Sequence, residues 1–151
     1  MTVHLIKLCV GVSHVIELFE EYQRLAAAAR AKGRKVEDRH RTRSRPKRAD
    51  EVLDGGSLYW VVRGTIRARH RILRLDDIRD RARGKVCAIV YDPKPVLVEP
   101  RPRRAFQGWR YLEDDDAPPD LADQKMALRD ARREPDLPPE MARDLRALGL
   151  I

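Results

Sequence analysis

Two combs of arginine are the residues of this chain whose type and spacing most directly suggest chemistry. Arg39, Arg41, Arg43 and Arg45 form one, and Arg67, Arg69 and Arg71 the other. On an extended strand, side chains two residues apart share a face and stand about 7 Å from one another. That distance is comparable to the spacing of charges along a nucleic-acid backbone. Guanidinium also forks onto phosphate oxygens and stacks on bases. The same comb equally describes a solvated sheet face whose charges pair with acidic residues elsewhere.

A second constellation follows at 101–111. Arg101, Arg103, Arg104 and Arg110 interleave with Phe106, Trp109 and Tyr111. Basic residues among rings suit stacking on unpaired bases. The competing reading puts Phe106 and Trp109 at the edge of the core, with Tyr111 half exposed. Tyr59 and Trp60 are adjacent, so on a strand they face opposite sides, one toward the core and one toward a surface groove. The third constellation is Gly55-Gly56-Ser57 after Asp54, with Arg63 downstream. A Gly-Gly turn exposes backbone N–H groups that can cradle an anion. A helix C-cap explains the same glycines without any ligand.

Candidates for catalysis are thin. His4, His14, His40 and His70 share no metal-ligand spacing, and there is no CxxC or HExxH. No GxSxG elbow is present. Asp50 and Glu51 beside Arg48 are explained by the preference of carboxylates for helix starts. The sequence therefore names no catalytic residue, no metal site and no cofactor.

Charge is unevenly distributed over the 151 residues, whose formal net charge is +8. Residues 30–48 carry ten Lys/Arg against Glu37 and Asp38, a local net of +8. Residues 63–85 carry nine against three Asp, a net of +6, and residues 99–110 add +3. Residues 111–151 reverse the sign, with six basic and eleven acidic residues, a net of −5. Such asymmetry suggests a polyanionic partner, or a tail folded back on the basic face. Cys9 and Cys87 each lie in an apolar run and read as buried, reduced thiols. The first apolar stretch is broken by His4 and Lys7, and no run approaches the length of a membrane span, so a cytoplasmic protein is expected.

The elements that must position these residues read as follows. Residues 3–10 are a strand ended by Gly11, and Ser13 offers a cap to an amphipathic helix over 14–31, stopped by Gly33. Residues 35–44 suit a strand, with the four arginines on one face, or a disordered basic loop. Pro46 opens a short helix over 46–54. Strands follow at 57–63 and 65–73, with Gly64 marking a bulge or bend between them. In the second strand Ile66, Ala68, His70 and Ile72 alternate with the arginines, which predicts apolar residues on one side and charge on the other. Residues 76–83 read as a polar helical turn, 85–91 as a buried strand, 96–99 as a short edge strand among prolines, and 105–112 as the last extended piece. Helices are expected at 120–133 and 138–148. The sum, about five or six strands and four helices in mixed order, argues for an α+β fold. Its sheet, mixed or antiparallel, curls toward a half-barrel. The expected organisation is one α+β domain over 1–116, with 117–151 as an acidic helical extension packed on it.

The segments HLIKLCVGV (4–12), RPKRADEVLDGGSLYWVVRG (45–64), RPRRAFQGWRYL (101–112) and LRALGLI (145–151) together resemble a bacterial family of about this length, known as a domain of unknown function. The resemblance spans nearly the whole chain, departs from the family pattern at Ser13-His14 and Ser44-Arg45, and implies a complete protein with no established reaction. The YWVVRG turn and small basic sheet are also similar in architecture to PUA-like RNA-binding barrels, an analogy of fold alone.

These observations favour a small RNA-binding module in which Arg39, Arg41, Arg43, Arg67, Arg69, Arg71, Arg103 and Arg104 meet phosphates and Trp109, Tyr111 and Tyr59 stack. No helix-turn-helix or zinc finger directs the reading to duplex DNA. Two rivals come from other classes. One is an enzyme acting on a phosphorylated or anionic small molecule, bound at Gly55, Gly56, Ser57 and Arg63. The other is an adaptor whose basic face meets an acidic protein. Oligomeric state is not legible in the sequence.

Overall fold

Seven strands and three helices are found among residues 1–135 and 147–149, which the computed structural model describes. In chain order they are β1 (Val3–Leu8), α1 (Ile16–Lys32), β2 (Asp38–Thr42), α2 (Ala49–Val52), β3 (Ser57–Val62), β4 (Thr65–Asp80), β5 (Gly84–Tyr91), β6 (Val96–Pro102), β7 (Trp109–Glu113) and α3 (Gln124–Arg133). The strands form one sheet in the order β2-β5-β4-β3-β1-β7, with β6 paired to β4 outside that path. Only β1 and β3 run parallel; every other pairing is antiparallel. The architecture is α+β, and the sheet does not close into a barrel.

β4 organises the sheet because it is 16 residues long. Its first half pairs β3 and β6, and its second half pairs β5. The sheet curls about it. Val3 and Leu5 of β1 share a core with Leu75 of β4 and Cys87 and Ile89 of β5, strands well separated along the sheet path. Trp60, Leu58 and Tyr91 lie in the same core, and Val52 of α2 closes it. Burying a side chain such as Leu5 or Ile89 completely stabilises the fold by roughly 1.5–3 kcal/mol, so this concave face supplies much of the driving force. The opposite face carries a second cluster of Ile6, Tyr59, Val61, Ile66, Val98 and Leu112. Tyr59 and Trp60 are therefore both buried, one on each face, and neither is left at the surface.

Several local expectations are corrected. Residues 76–83 are not a helical turn. β4 continues to Asp80, residues 81–83 turn, and β5 begins at Gly84. Local propensity loses here to pairing with the apolar strand Val86–Tyr91, and the ladder runs from Leu75↔Ile89 to Asp80↔Gly84. The alternation in β4 is also broken. Val61 pairs with Ile66 but Trp60 pairs with Ala68, which leaves Arg67 as an extra residue in a β-bulge. Ile66 thus joins the face of Arg69, while Ala68, His70 and Ile72 take the concave face. Residues 63–64 form a two-residue hairpin turn between β3 and β4, both with positive φ (Arg63 48°, Gly64 75°), the backbone that a tight right-twisted hairpin requires.

Ser13 does not cap α1 with its side chain. The Glu17 carboxylate instead accepts the backbone N–H groups of Ser13 (2.7 Å) and His14 (2.9 Å). No residue of α1 is fully buried; only Val15, just before it, is in the core, with Leu18 and Phe19 packed beside it. The helix expected at 46–54 is a single turn. β6 is longer than expected and holds Pro100 and Pro102, because it pairs within the sheet only with β4. The helix expected at 138–148 lies almost wholly outside the described residues.

Candidate functional site

The β2 strand is the structure's resolution of the first arginine comb. Its burial alternates, with Arg39 and Arg41 exposed and Asp38, His40 and Thr42 half-buried. Arg43 and Arg45 lie beyond its end, and Arg45 donates to the Leu75 carbonyl at 3.0 Å. β2 pairs with β5 from Asp38↔Tyr91 to Thr42↔Cys87. That register brings it beside the β4–β5 hairpin, and Arg41 makes an ion pair at 3.2 Å with Asp80, the last β4 residue before the hairpin turn. Asp80 also accepts the Ala82 N–H at 2.8 Å, which shapes the turn. These donors hold its carboxyl below the usual carboxylate range, the Ala82 amide first among them.

At the hairpin tip beyond Asp80 the side chains of Arg79, Arg81, Arg83 and Lys85 make no hydrogen bond or ion pair among the described residues, and Arg79 and Lys85 stand opposite one another across the hairpin. Arg39 and Arg43 do not join them: Arg39 pairs with Val90, about six residues of β5 from the turn, and both side chains stand on the other face of the sheet. Sequence reasoning missed the hairpin cations because 76–83 reads as helical; the legible signal was the alternation Arg79, Arg81, Arg83, Lys85 flanking a glycine.

The second comb behaves differently. Arg67, at the bulge, is only 8% exposed and forks onto Glu134 just past α3, with both N–O distances 2.9 Å. Arg69 forks onto Asp120 at 2.8 and 2.7 Å and donates to Ser57 Oγ at 3.0 Å. Arg71 is exposed, and its side chain makes no hydrogen bond or ion pair among the described residues. Thus two of the three guanidiniums hold the 114–134 segment against the sheet. His14 adds to that attachment: its Nδ1 accepts the Ile16 N–H (3.1 Å), so Nε2–H donates to the Glu134 carbonyl (3.1 Å).

The aromatic and basic residues of 101–111 divide by face. Trp109 and Tyr111, on alternate positions of β7, pack edge to face at 5.0 Å on the side of the concave core. The Tyr111 hydroxyl accepts the Arg48 N–H at 3.1 Å. Phe106 lies between the guanidiniums of Arg103 and Arg110, each 5.4 Å from its ring centre. Arg104 is exposed.

The Gly-Gly turn does not meet Arg63. β3 separates them, six residues or about 20 Å of strand. It meets Arg69 and Arg71 instead, in a polar cleft of about 370 Å³ lined also by His4, Tyr59, Asp114 and Asp120. Gly56 N–H donates to the Val52 carbonyl (2.9 Å) and Ser57 N–H to His4 Nδ1 (3.0 Å), so these amides are engaged. His4 consequently carries its proton on Nε2 and donates to Asp114 Oδ1 at 2.7 Å. With Nδ1 accepting and Nε2–H donating, the His4 ring has no free lone pair with which to act as a general base.

A larger cleft, about 590 Å³, opens on the concave face and is lined by Cys9, Val12, Leu18, Trp60, His70 and Tyr91 with charged residues of α1. Trp60 Nε1–H donates to His70 Nδ1 at 2.8 Å, and the imidazole stacks on Tyr91 at 4.7 Å. His70 Nε2 is buried without a hydrogen bond of normal geometry. Burial pushes the His70 pKa down to about 4, only partly opposed by the Pro93 carbonyl, so the ring is neutral at pH 7. Burial likewise raises the Cys9 thiol to about 11. It is no nucleophile. Cys9 and Cys87 are both free thiols.

Among the described residues no group of three or more His, Cys, Asp and Glu could hold a metal ion, and no helix is long and apolar enough to cross a membrane. Neither curated proteins nor solved structures provide a match to the chain. A family model described as "Protein of unknown function (DUF1489)" matches residues 5–151. With nearly its whole length covered, the chain belongs to the DUF1489 family.

Proposed function

We propose that the protein is an RNA-binding module whose contact surface is the basic tip of the β4–β5 hairpin. One observation carries the reading: Arg79, Arg81, Arg83 and Lys85 crowd the tip of the β4–β5 hairpin, and their side chains make no hydrogen bond or ion pair among the described residues, in a chain of net charge +8. Several other guanidiniums are matched by carboxylates, as at Arg48, Arg67, Arg69 and Arg74. Clustered unpaired cations repel one another, and a polyanion relieves that repulsion by releasing its counterions. The cations sit on strands and a turn rather than on a helix, which favours RNA over a helix-in-groove reading of duplex DNA.

The test is a salt titration of nuclease-treated protein against single-stranded RNA, hairpin RNA, duplex DNA and heparin. Contacts to four phosphates predict a log–log slope of about −3 on a single strand. Arg81→Glu with Arg83→Glu, at exposed turn positions, should weaken RNA binding at least tenfold and flatten the slope by about 1.4, two phosphates' worth. Equal binding to every polyanion, or unchanged affinity in the double variant, refutes the reading.

A second reading, an anionic small-molecule site in the polar cleft, is favoured by unpaired Arg71 standing beside Ser57 and Gly55. It predicts saturable heat on titration with a phosphomonoester, abolished by Arg71→Ala.

A further inference from the structure

We infer that the concave-face cleft is a binding site for a small organic cation, an ammonium or quaternary ammonium carried on an apolar or aromatic body. The first argument is its lining. Trp60, His70 and Tyr91 come from three adjacent strands, and Leu18 of α1 lies opposite, within about 590 Å³. That volume falls in the range of small-molecule sites, and ring faces attract cations.

The second argument is charge. In a protein of net charge +8, this cleft is lined by Glu17, Glu20 and Glu21 against Arg24 alone. Arg24 is itself held by Glu21, through Nε at 3.0 Å and through a second, Nη2 contact. Glu17 is fixed by the amides of Ser13 and His14. Glu20 has no partner among the described residues. Deeper in, Asp38 accepts the Tyr91 hydroxyl at 3.1 Å. Lys7 and Arg83 lie near enough to act on His40 and offset part of the excess. Anions are disfavoured here, and so is an RNA phosphate.

The third argument is that the floor brings no positive charge of its own. His70 and His40 both have pKa values lowered by burial, and His40 stands edge-on to Trp60 at 6.0 Å. Two neutral imidazoles beside an indole and a phenol make an uncharged aromatic wall beneath an acidic rim. The cleft lies on the inward side of the sheet, and none of the hairpin cations is among its lining residues.

The probe is benzyltrimethylammonium, with neopentylbenzene as its neutral isostere and benzoate as the anion of similar body. The readout is the indole N–H signal of Trp60 in a proton–nitrogen NMR spectrum, told from that of Trp109 with a Trp109→Phe variant. The cation should shift the Trp60 signal saturably at millimolar concentration or below, while benzoate and the neutral isostere leave it in place. Glu20→Lys, on an exposed helix position that leaves the fold intact, should weaken the cation at least tenfold. A shift of equal size with benzoate or neopentylbenzene, no saturable shift at 10 mM (on the order of the weakest specific sites), or an affinity unchanged by Glu20→Lys overturns the inference. So does preferential binding of a nucleotide in the same cleft.

Discussion

Replacing His70 with glutamine should remove a defined part of the protein's sensitivity to acid. His70 is 4% exposed, and its Nδ1 accepts the Trp60 indole proton. Burial moves its pKa from an ordinary 6.5 to about 4. The folded-state value lies below the unfolded one, so the unfolded chain takes up the proton first. Stability is fully present above about 6.5 and is lost as pH falls toward 4. At pH 5 the unfolded chain is nearly all protonated at this position and the folded chain hardly at all, which costs about 2 kcal/mol relative to pH 7. The full shift amounts to about 3 kcal/mol. Glutamine keeps an acceptor for the indole but does not titrate. Urea unfolding followed by circular dichroism at pH 7, 6 and 5 should therefore show the two proteins converging by about 2 kcal/mol as pH falls. Acidic groups and His40 titrate in both proteins and cancel in the difference. Parallel pH dependences would refute the assignment of a neutral, desolvated imidazole at the cleft floor.

Other expectations rest on different contacts. A Cβ at Gly56 would lie 2.2 Å from the Val52 carbonyl oxygen and 2.5 Å from that of Val3, both backbone atoms. Gly56→Ala should thus cost about 3 kcal/mol or more, while Gly55→Ala, strained only by its φ of 80°, should cost about 1–2 kcal/mol in the same denaturation assay. Glu134→Ala leaves the buried Arg67 guanidinium unpaired and should destabilise by about 3 kcal/mol, whereas Arg67→Met with Glu134→Leu should return to within about 1 kcal/mol of the parent; equal losses in the single and double variants would count against a pair worth keeping only as a pair. Cys9, raised to about 11, should react with a thiol reagent at pH 8 on the order of a hundredfold more slowly than free cysteine until the protein is unfolded.

What the sequence determined by itself was local and compositional. Strongly β-forming runs at 3–10, 57–63 and 85–91 announced the core strands, found at Val3–Leu8, Ser57–Val62 and Gly84–Tyr91, and the α+β class followed from their mixed order with the helices. Basic and acidic segments were legible as counts, and four blocks of sequence carried the family.

What only the tertiary structure decided was facing and partnership. One extra residue at Arg67 moves Ile66 to the other side of β4, because side chains alternate with period two and a single slip exchanges the faces. Strand pairing with β5 overrode the helical appearance of 76–83 and built the basic hairpin tip. The ion pairs Arg67–Glu134 and Arg69–Asp120 span 67 and 51 residues, and no local pattern encodes which carboxylate a guanidinium will meet across such a distance. The two clefts exist for the same reason. Their walls come from strands remote in sequence, and only curling the sheet around a buried apolar face brings them together.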